Sequence, residues 1–243
     1  MSIHDLIKNG SFHHCFQGLF STRSWERIGG EALFRSELGT PEVIFQKAKT
    51  VNKLFELETM SISKILNSYN LQESTQKESL FINIFPSTIL HPQFLSFIVD
   101  ITKRYKKNKV VFEIIETEFV ENILALKERI KFLKDLGYLI ALDDVGKGWS
   151  SLNMIIELEP DYLKLDRYFS INLSKSNSKQ EMIRSILHYT QYSRSKVVLE
   201  GIEQETDLAI AKLLGVDICQ GFLLEKPQPI YAQHRKIYST LGV

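Results

Sequence analysis

Apolar residues follow two rhythms along this chain. Short, nearly unbroken apolar runs alternate with longer stretches in which every third or fourth position is apolar, the spacings of buried strands and of helices with one covered face. Runs at His13–Phe20, Gly30–Phe34, Leu80–Phe85, Val110–Glu116, Leu139–Asp144, Tyr162–Asp166, Val197–Glu200 and Ile218–Leu223 predict eight strands. Between them, Val43, Ile44, Ala48 and Val51, then Leu57, Met60, Ile62 and Ile65, predict two helices or one kinked helix after Pro41. Further helices are predicted at 92–105, over Phe119, Ile123, Leu126, Ile130 and Leu133 as far as Gly137, and from Ser150 to just before Pro160. The last three fall at 179–192, at Thr206–Leu214 closed by Gly215, and at Pro229–Tyr238.

Regular alternation of eight strands with helices predicts an α/β fold, a single (β/α)8 TIM-like barrel over residues 1–243 whose first strand can run antiparallel to the rest. An open doubly wound sheet is the alternative. No Pro/Gly/Ser linker divides the chain, and Ser174–Ser178 is only a polar loop. A hydrophobic content of 44% in 243 residues is enough to bury a large core.

The formal net charge of +1 gives no bulk attraction to a nucleic-acid polymer or an anionic membrane, so an anionic ligand needs a local site. Cys15 and Cys219 lack the paired spacing of a disulfide framework or a zinc cluster and read as small core residues in a reducing compartment. Asp5, Lys8 and Asn9 interrupt any apolar leader, and no apolar run is long enough to span a bilayer. A cytoplasmic location with no membrane partner is expected.

The chemistry sits where polar residues break or end the predicted strands. Glu31, Asn83, Glu113, Asp143, Asp144, Lys164, Asp166, Glu200 and Gln220 form that set, and a parallel barrel brings such positions to one mouth. Taken singly, each acid is better read as a strand end or helix cap; taken together they imply mutual repulsion that divalent metal relieves. Oxygen ligands favour Mg²⁺, Mn²⁺ or Ca²⁺ over zinc. The adjacent pair Asp143–Asp144 can bridge two metals in the arrangement that serves phosphodiester cleavage. Lys164 beside such cations would have a lowered pKa and could take or orient a water's proton. His13–His14 with no third ligand reads as structural, and the basic run 103–109 as a helix end complementing its dipole. Lys147 reads as a solvated loop lysine, and Trp149 as an aromatic packed at a helix start.

In this order and spacing the motifs resemble the EAL domains that hydrolyse cyclic di-GMP. Glu31-Ala32-Leu33 followed by Phe34-Arg35 carries the name motif, and Gln17 matches the family's opening Gln-Pro-Ile-Val. Asn83, Glu113-Ile114-Ile115-Glu116, Asp143-Asp144-Val145-Gly146, Lys164-Leu165-Asp166, Glu200-Gly201-Ile202-Glu203 and Gln220-Gly221-Phe222 continue the series. The resemblance implies a two-metal site of Glu31, Asn83, Glu113, Asp143 and Asp144, loaded with Mg²⁺ or Mn²⁺ and inhibited by Ca²⁺. It implies catalytic roles for Glu31, for Glu200 in supporting the attacking water, and for Lys164 as general base or water-orienting residue. It further implies ligand contacts from Gln17, Arg35, Asp166, Glu203 and Gln220, with loop support from Glu116.

The activity so implied is metal-dependent hydrolysis of cyclic di-GMP to linear pGpG by a homodimer, open to a regulatory protein partner. The alternative is a weak or inactive EAL domain acting as a cyclic di-GMP receptor or a protein-interaction module. Gly18, Ile115, Val145 and Lys147 stand where the family pattern has Pro, Thr, Phe and Thr. They are expected in or beside the loop that links the metal site to the dimer contact, where they bear on regulation and rate.

Overall fold

Period-two alternation is what turns these strands into a filled barrel, because successive side chains point to opposite faces. The structure, a computed structural model, describes residues 2–70, 78–105, 110–115, 118, 120–146 and 151–229. The strands are β1 (His13–Ser21), β2 (Arg27–Arg35), β3 (Ser79–Ile84), β4 (Val110–Ile114), β5 (Leu139–Val145), β6 (Tyr162–Leu165), β7 (Lys196–Leu199) and β8 (Ile218–Cys219). From β2 to β8 each pairs in parallel with the next, and β1 closes the ring by pairing antiparallel with both β2 and β8. A short hairpin joins β1 to β2, and so brief a connection allows only antiparallel pairing. A two-residue β9 (Gln228–Pro229) pairs with the upper edge of β1.

Helices cover the ring: α1 (Ile3–Asn9), α2 (Pro41–Thr50), α3 (Leu54–Asn70), α4 (Pro86–Leu90), α5 (Phe94–Arg104), α6 (Ile123–Asp135), α7 (Ser151–Leu158), α8 (Arg167–Ser170), α9 (Asn177–Ser193) and α10 (Glu205–Leu214). The predicted pair of helices after Pro41 is α2 and α3. Three short helices escaped the periodicity. In α1, Ser2 and Asp5 form a reciprocal capping box, and Ile3, Leu6 and Ile7 pack on α2, α3 and β2 through Phe34, Ile44, Ala48 and Leu57.

Outward strand residues such as Ile82, Phe112, Leu142, Leu163, Leu165, Val197 and Leu199 pack against the helices. Inward, Leu19, Phe81, Val111, Ala141, Tyr162, Val198 and Ile218 form a separate apolar plug. This plug is the floor on which the polar layer stands.

Two predicted elements differ. The last strand stops at Cys219 rather than Leu223, because the chain after β7 folds over it: a Cβ at Gly221 would lie 2.1 Å from the Ile202 carbonyl oxygen. Pro229 lies in β9 rather than opening a helix, and residues 230–243 of that predicted helix lie outside the described residues, as do Phe119, Lys147 and Trp149.

In α3, Glu58 is 2% exposed, and its Oε1 accepts the Phe85 N–H at 3.0 Å. Burial pushes its carboxyl up to about 8, against the weaker pull of Thr88 and the Phe85 N–H, and neither its Oε2 nor the buried Thr88 hydroxyl has a hydrogen bond of good geometry. The folded chain therefore holds this proton more tightly than the unfolded chain. The resulting stability is whole below the ordinary carboxylate value and is lost as pH rises through about 8. Thermal melts should show Tm falling between about pH 5 and about pH 8, and falling less in Glu58→Gln, whose carbonyl keeps the Phe85 bond.

Candidate active site at the barrel mouth

Two residues from each plug residue along its strand, the inward face turns polar. Phe81 is followed by Asn83, Val111 by Glu113, Ala141 by Asp143, Tyr162 by Lys164, Val198 by Glu200 and Ile218 by Gln220. In antiparallel β1 the step runs backward, from Leu19 to Gln17, which pairs directly with Glu31. Gln17 is thus a mid-strand residue that reaches the mouth because its strand is inverted.

Lys164 occupies the centre and is 1% exposed. Its Nζ lies 2.7 Å from Glu113 Oε1, 2.7 Å from Glu200 Oε1, 3.1 Å from Asp143 Oδ1 and 3.3 Å from Glu31 Oε2. Asn83 donates to Glu31 Oε1 at 3.1 Å, while Gln220 donates to Glu31 Oε2 at 2.9 Å and to Gln17 Oε1 at 3.2 Å. One ammonium is therefore shared by four carboxylates.

The proton affinities report that imbalance. Burial opposes the Lys164 ammonium, yet Asp143, Glu113, Glu200 and Glu31 together outweigh it and hold the amine well above its ordinary value. The lowered pKa expected beside metal is not what the protein's own groups produce; in their field alone the shift runs upward. Burial raises Glu113 well above the carboxylate range, with Glu31 adding to it, and lifts Asp143 as well. Burial pushes Glu200 up to about 8 against the pull of Lys164. Glu31 alone goes down, because Lys164 and the amides of Gln220 and Asn83 overcome its burial.

Asp144 joins this layer through a break in the ladder. Leu142 pairs with Leu163 and Val145 with Leu165, so three residues of β5 span two of β6. The bulge carries Asp144 at φ 56°, a left-handed conformation uncommon for a residue with a side chain. Plain alternation would aim Asp143 and Asp144 to opposite faces. With the extra residue, Leu142 and Val145 both face the helices, and one oxygen each of Asp143, Asp144 and Glu200 lie within 4.8 Å of one another.

These residues fit divalent cations. Both Glu113 oxygens and Asp143 Oδ1 are buried without a hydrogen bond of good geometry, even where Lys164 lies close. Carboxylates in excess of one lysine, with hard oxygen atoms left over, match the preference of Mg²⁺, Mn²⁺ or Ca²⁺.

A cavity of about 710 Å³ leads from Glu31, Asn83, Asp143 and Asp144 toward α2 and α3, past Arg35, Gln46, Lys49, Phe85 and Glu58. Arg35 donates to the Phe34 carbonyl at 2.8 Å and lines this space. Asp166 caps α8 by accepting the Tyr168 N–H at 2.8 Å, and exposed Glu203 pairs with Arg167 at 3.3 Å. Neither joins the Lys164 cluster, and Glu116 lies outside the described residues.

Gly18 lies in β1 opposite Gly30, not beside the loop after β5, and its N–H donates to Glu225 Oε1 at 2.8 Å. A proline there would have no hydrogen to give. Val145 packs in the outer core, and Ile115 lines the cavity. Of the residues read as structural or core, His14 and Cys219 behave as such: His14 Nε2 lies 2.8 Å from Ser61 Oγ between Phe12 and Phe34, and Cys219 is fully buried, whereas Cys15 is only half-buried and His13 is exposed at the start of β1. Glu58 and Glu225 gave no motif, since their partners lie far off in sequence.

A family model described as EAL domain matches residues 2–227. The chain is 31% identical over 190 residues to cyclic di-GMP phosphodiesterase PdeA of Borreliella burgdorferi, covering 77% of this chain and 28% of that protein. Its fold matches an EAL domain protein of Listeria monocytogenes with a TM-score of 0.87 and 26% identity, over 97% of this chain and 96% of that one. It also matches the manganese/cy-diGMP complex of Klebsiella pneumoniae BlrP1, with a TM-score of 0.81 and 24% identity over 90% and 56% of the two chains. The chain spans 20%, 28% and 35% of the lengths of the first curated relatives it matches.

Removing the central charge gives a direct test of the cluster. In chelator-treated protein, Lys164→Met should cost about 3–5 kcal/mol, because it leaves buried acids facing one another. Lowering the pH or adding Mn²⁺ should recover much of that loss in thermal melts.

Proposed function

We propose that this chain, which belongs to the EAL domain family, hydrolyses one phosphodiester of cyclic di-GMP to give linear pGpG. The observation that carries the reading is the ring of Glu31, Glu113, Asp143 and Glu200 around Lys164, with Glu113 and Asp143 oxygens left without a hydrogen bond of good geometry and the bulged pair Asp143–Asp144 within 4.8 Å of Glu200. The similar cyclic di-GMP phosphodiesterases PdeF of Escherichia coli and PdeA of Borreliella burgdorferi support the same activity.

Glu31, Asn83, Glu113, Asp143 and Asp144 would hold two Mg²⁺ or Mn²⁺ ions. When bound, such metals lower the pKa of water and offset charge on the phosphodiester. Asn83 is turned so that its amide nitrogen meets Glu31, which leaves its oxygen as the ligand atom. Lys164, 2.7 Å from Glu200 Oε1, fixes the acids and serves there as general base or water-orienting residue. Glu200 stands next to both Asp143 and Asp144, where it can hold the attacking water's hydrogen. The water oxygen then bonds to phosphorus as the bond to the 3′ oxygen breaks, and the proton ends on that oxygen.

Arg35, on the cavity wall, supplies a fixed cation for the dinucleotide, and Gln17 and Gln220 offer amide contacts beside Glu31. The cavity is within the roughly 300–1,000 Å³ range of small-molecule sites, enough for part of the ligand. Asp166 and Glu203 act at the rim, where Asp166 also caps α8. The same reading includes a homodimer and a regulatory protein partner. Supporting the dimer, α7 follows the Asp143–Asp144 strand and exposes Leu152 and Ile156 one turn apart.

Purified protein with Mn²⁺ or Mg²⁺ should convert cyclic di-GMP to pGpG, and Glu31→Ala should cut the rate at least about 10³-fold while the fold survives. Binding with no product at any enzyme concentration would instead make the domain a receptor. Ca²⁺ should support binding without turnover. For the dimer, light scattering that finds only monomer with and without ligand is the outcome that ends the proposal.

A further inference from the structure

The barrel closes least completely between β1 and β8. Only Phe20↔Cys219 and Ser21↔Ile218 pair there, and β9 resumes pairing at Cys15 and Phe16. Gln17, Gly18 and Leu19 are left with no strand partner on that edge among the described residues.

Glu225 fills the gap. Its Oε1 accepts the Gly18 N–H at 2.8 Å, and its backbone carbonyl accepts Gln17 Nε2 at 2.9 Å, so one residue holds two consecutive positions of β1. Its Oε2 lies 3.4 Å from Arg27 Nε, and Arg27 pairs with Glu78 as well. The opposed glycines make room for that guanidinium: a Cβ at either Gly18 or Gly30 would come within 2.8 Å of it.

The consequence reaches the mouth through amide polarity. With Nε2 given to the Glu225 carbonyl, Gln17 turns its oxygen toward Gln220. Gln220 Nε2 then donates both to that oxygen and to Glu31 Oε2, which leaves Gln220 Oε1 buried with no partner. Reversing the Gln17 amide would set its oxygen against the Glu225 carbonyl and its nitrogen against the Gln220 nitrogen, which the acceptor-only Glu31 carboxylate holds in place.

We propose that Glu225 is a positioning residue: its carboxylate, tied to the Gly18 N–H, anchors the backbone carbonyl that, together with Glu31, fixes the direction of the amide relay Gln17–Gln220–Glu31, in which Gln220 presents an acceptor to the bound ligand. That ligand's facing group is then a donor, a hydroxyl, a water or a base N–H. Only the identity of the ligand rests on the phosphodiesterase reading.

Hydrogen exchange and side-chain amide signals by NMR, together with calorimetry of cyclic di-GMP in Ca²⁺, test this. In Glu225→Ala the Gly18 amide should exchange faster, the Gln17 and Gln220 side-chain signals should move, and ligand affinity should drop about tenfold. Glu225→Gln, which keeps an acceptor oxygen, should restore most of the protection and the affinity. Gln17→Ala should cost about as much as Glu225→Ala, and the double variant little more than either. Unchanged Gly18 exchange in Glu225→Ala, or Gln17 and Glu225 effects that simply multiply, would overturn the proposal. If the unaltered protein binds no cyclic di-GMP, the phosphodiesterase reading falls. The relay is then decided by the Gln17 and Gln220 signals, which move if it holds and stay if it does not.

Discussion

A single buried ammonium shared among four carboxylates sets the terms for this barrel. Lys164 is almost wholly buried, and Glu113 beside it is fully so. Burial alone would neutralise both, since desolvation disfavours each charged form. The lysine stays charged because the acids surround it, and Glu113, Asp143 and Glu200 rise because burial disfavours their charged forms by more than one shared cation offsets. Those two directions express one demand: the layer calls for more positive charge, as protons or as metal ions.

The scaffold meets that demand by keeping the layer thin. Beneath it the plug of Leu19, Phe81, Val111, Tyr162 and Ile218 is apolar, and outside it Phe112, Leu142, Leu163 and Leu199 face helices. Each strand therefore changes character over one two-residue step on its inner face alone. The bulge at Asp143–Asp144 is the one place among the described parallel pairs where the register shifts, and it doubles the acids delivered by β5. A left-handed Asp144 is a local cost that alternation would have avoided.

How legible this was depended on whether a signal was periodic or positional. The strand runs and the polar residue on each were readable because period two is written directly into the sequence, as in Phe81-Ile82-Asn83. Helix α1 was equally written, as a Ser2–Asp5 capping box ahead of Ile3, Leu6 and Ile7, but seven residues are too few for periodicity to stand out. The short β8 was not readable, because what ends it is the backbone at Ile202 pressing on Gly221. Glu58 and Glu225 were hidden for the same reason: their meaning lies in Phe85 and Gly18, and no spacing rule connects them.

Gln17 entered through the family motif rather than through the strand-end rule, and topology explains its place in the mouth. A rule based on the C-terminal ends of parallel strands gives no place in the mouth to a residue in the middle of β1. It arrives there because β1 is inverted, which makes Gln17 the direct cross-strand neighbour of Glu31 and lets inward residues count backward from Leu19. Inversion also explains the weak seam. An antiparallel β1 meets the short β8 only at its far end, so its upper half must be held by side chains and by the returning chain at Gln228. The same reversal that brings an amide to the acids thus leaves that amide's strand under-paired, and the hydrogen bonds that repair the strand are the ones that orient the amide.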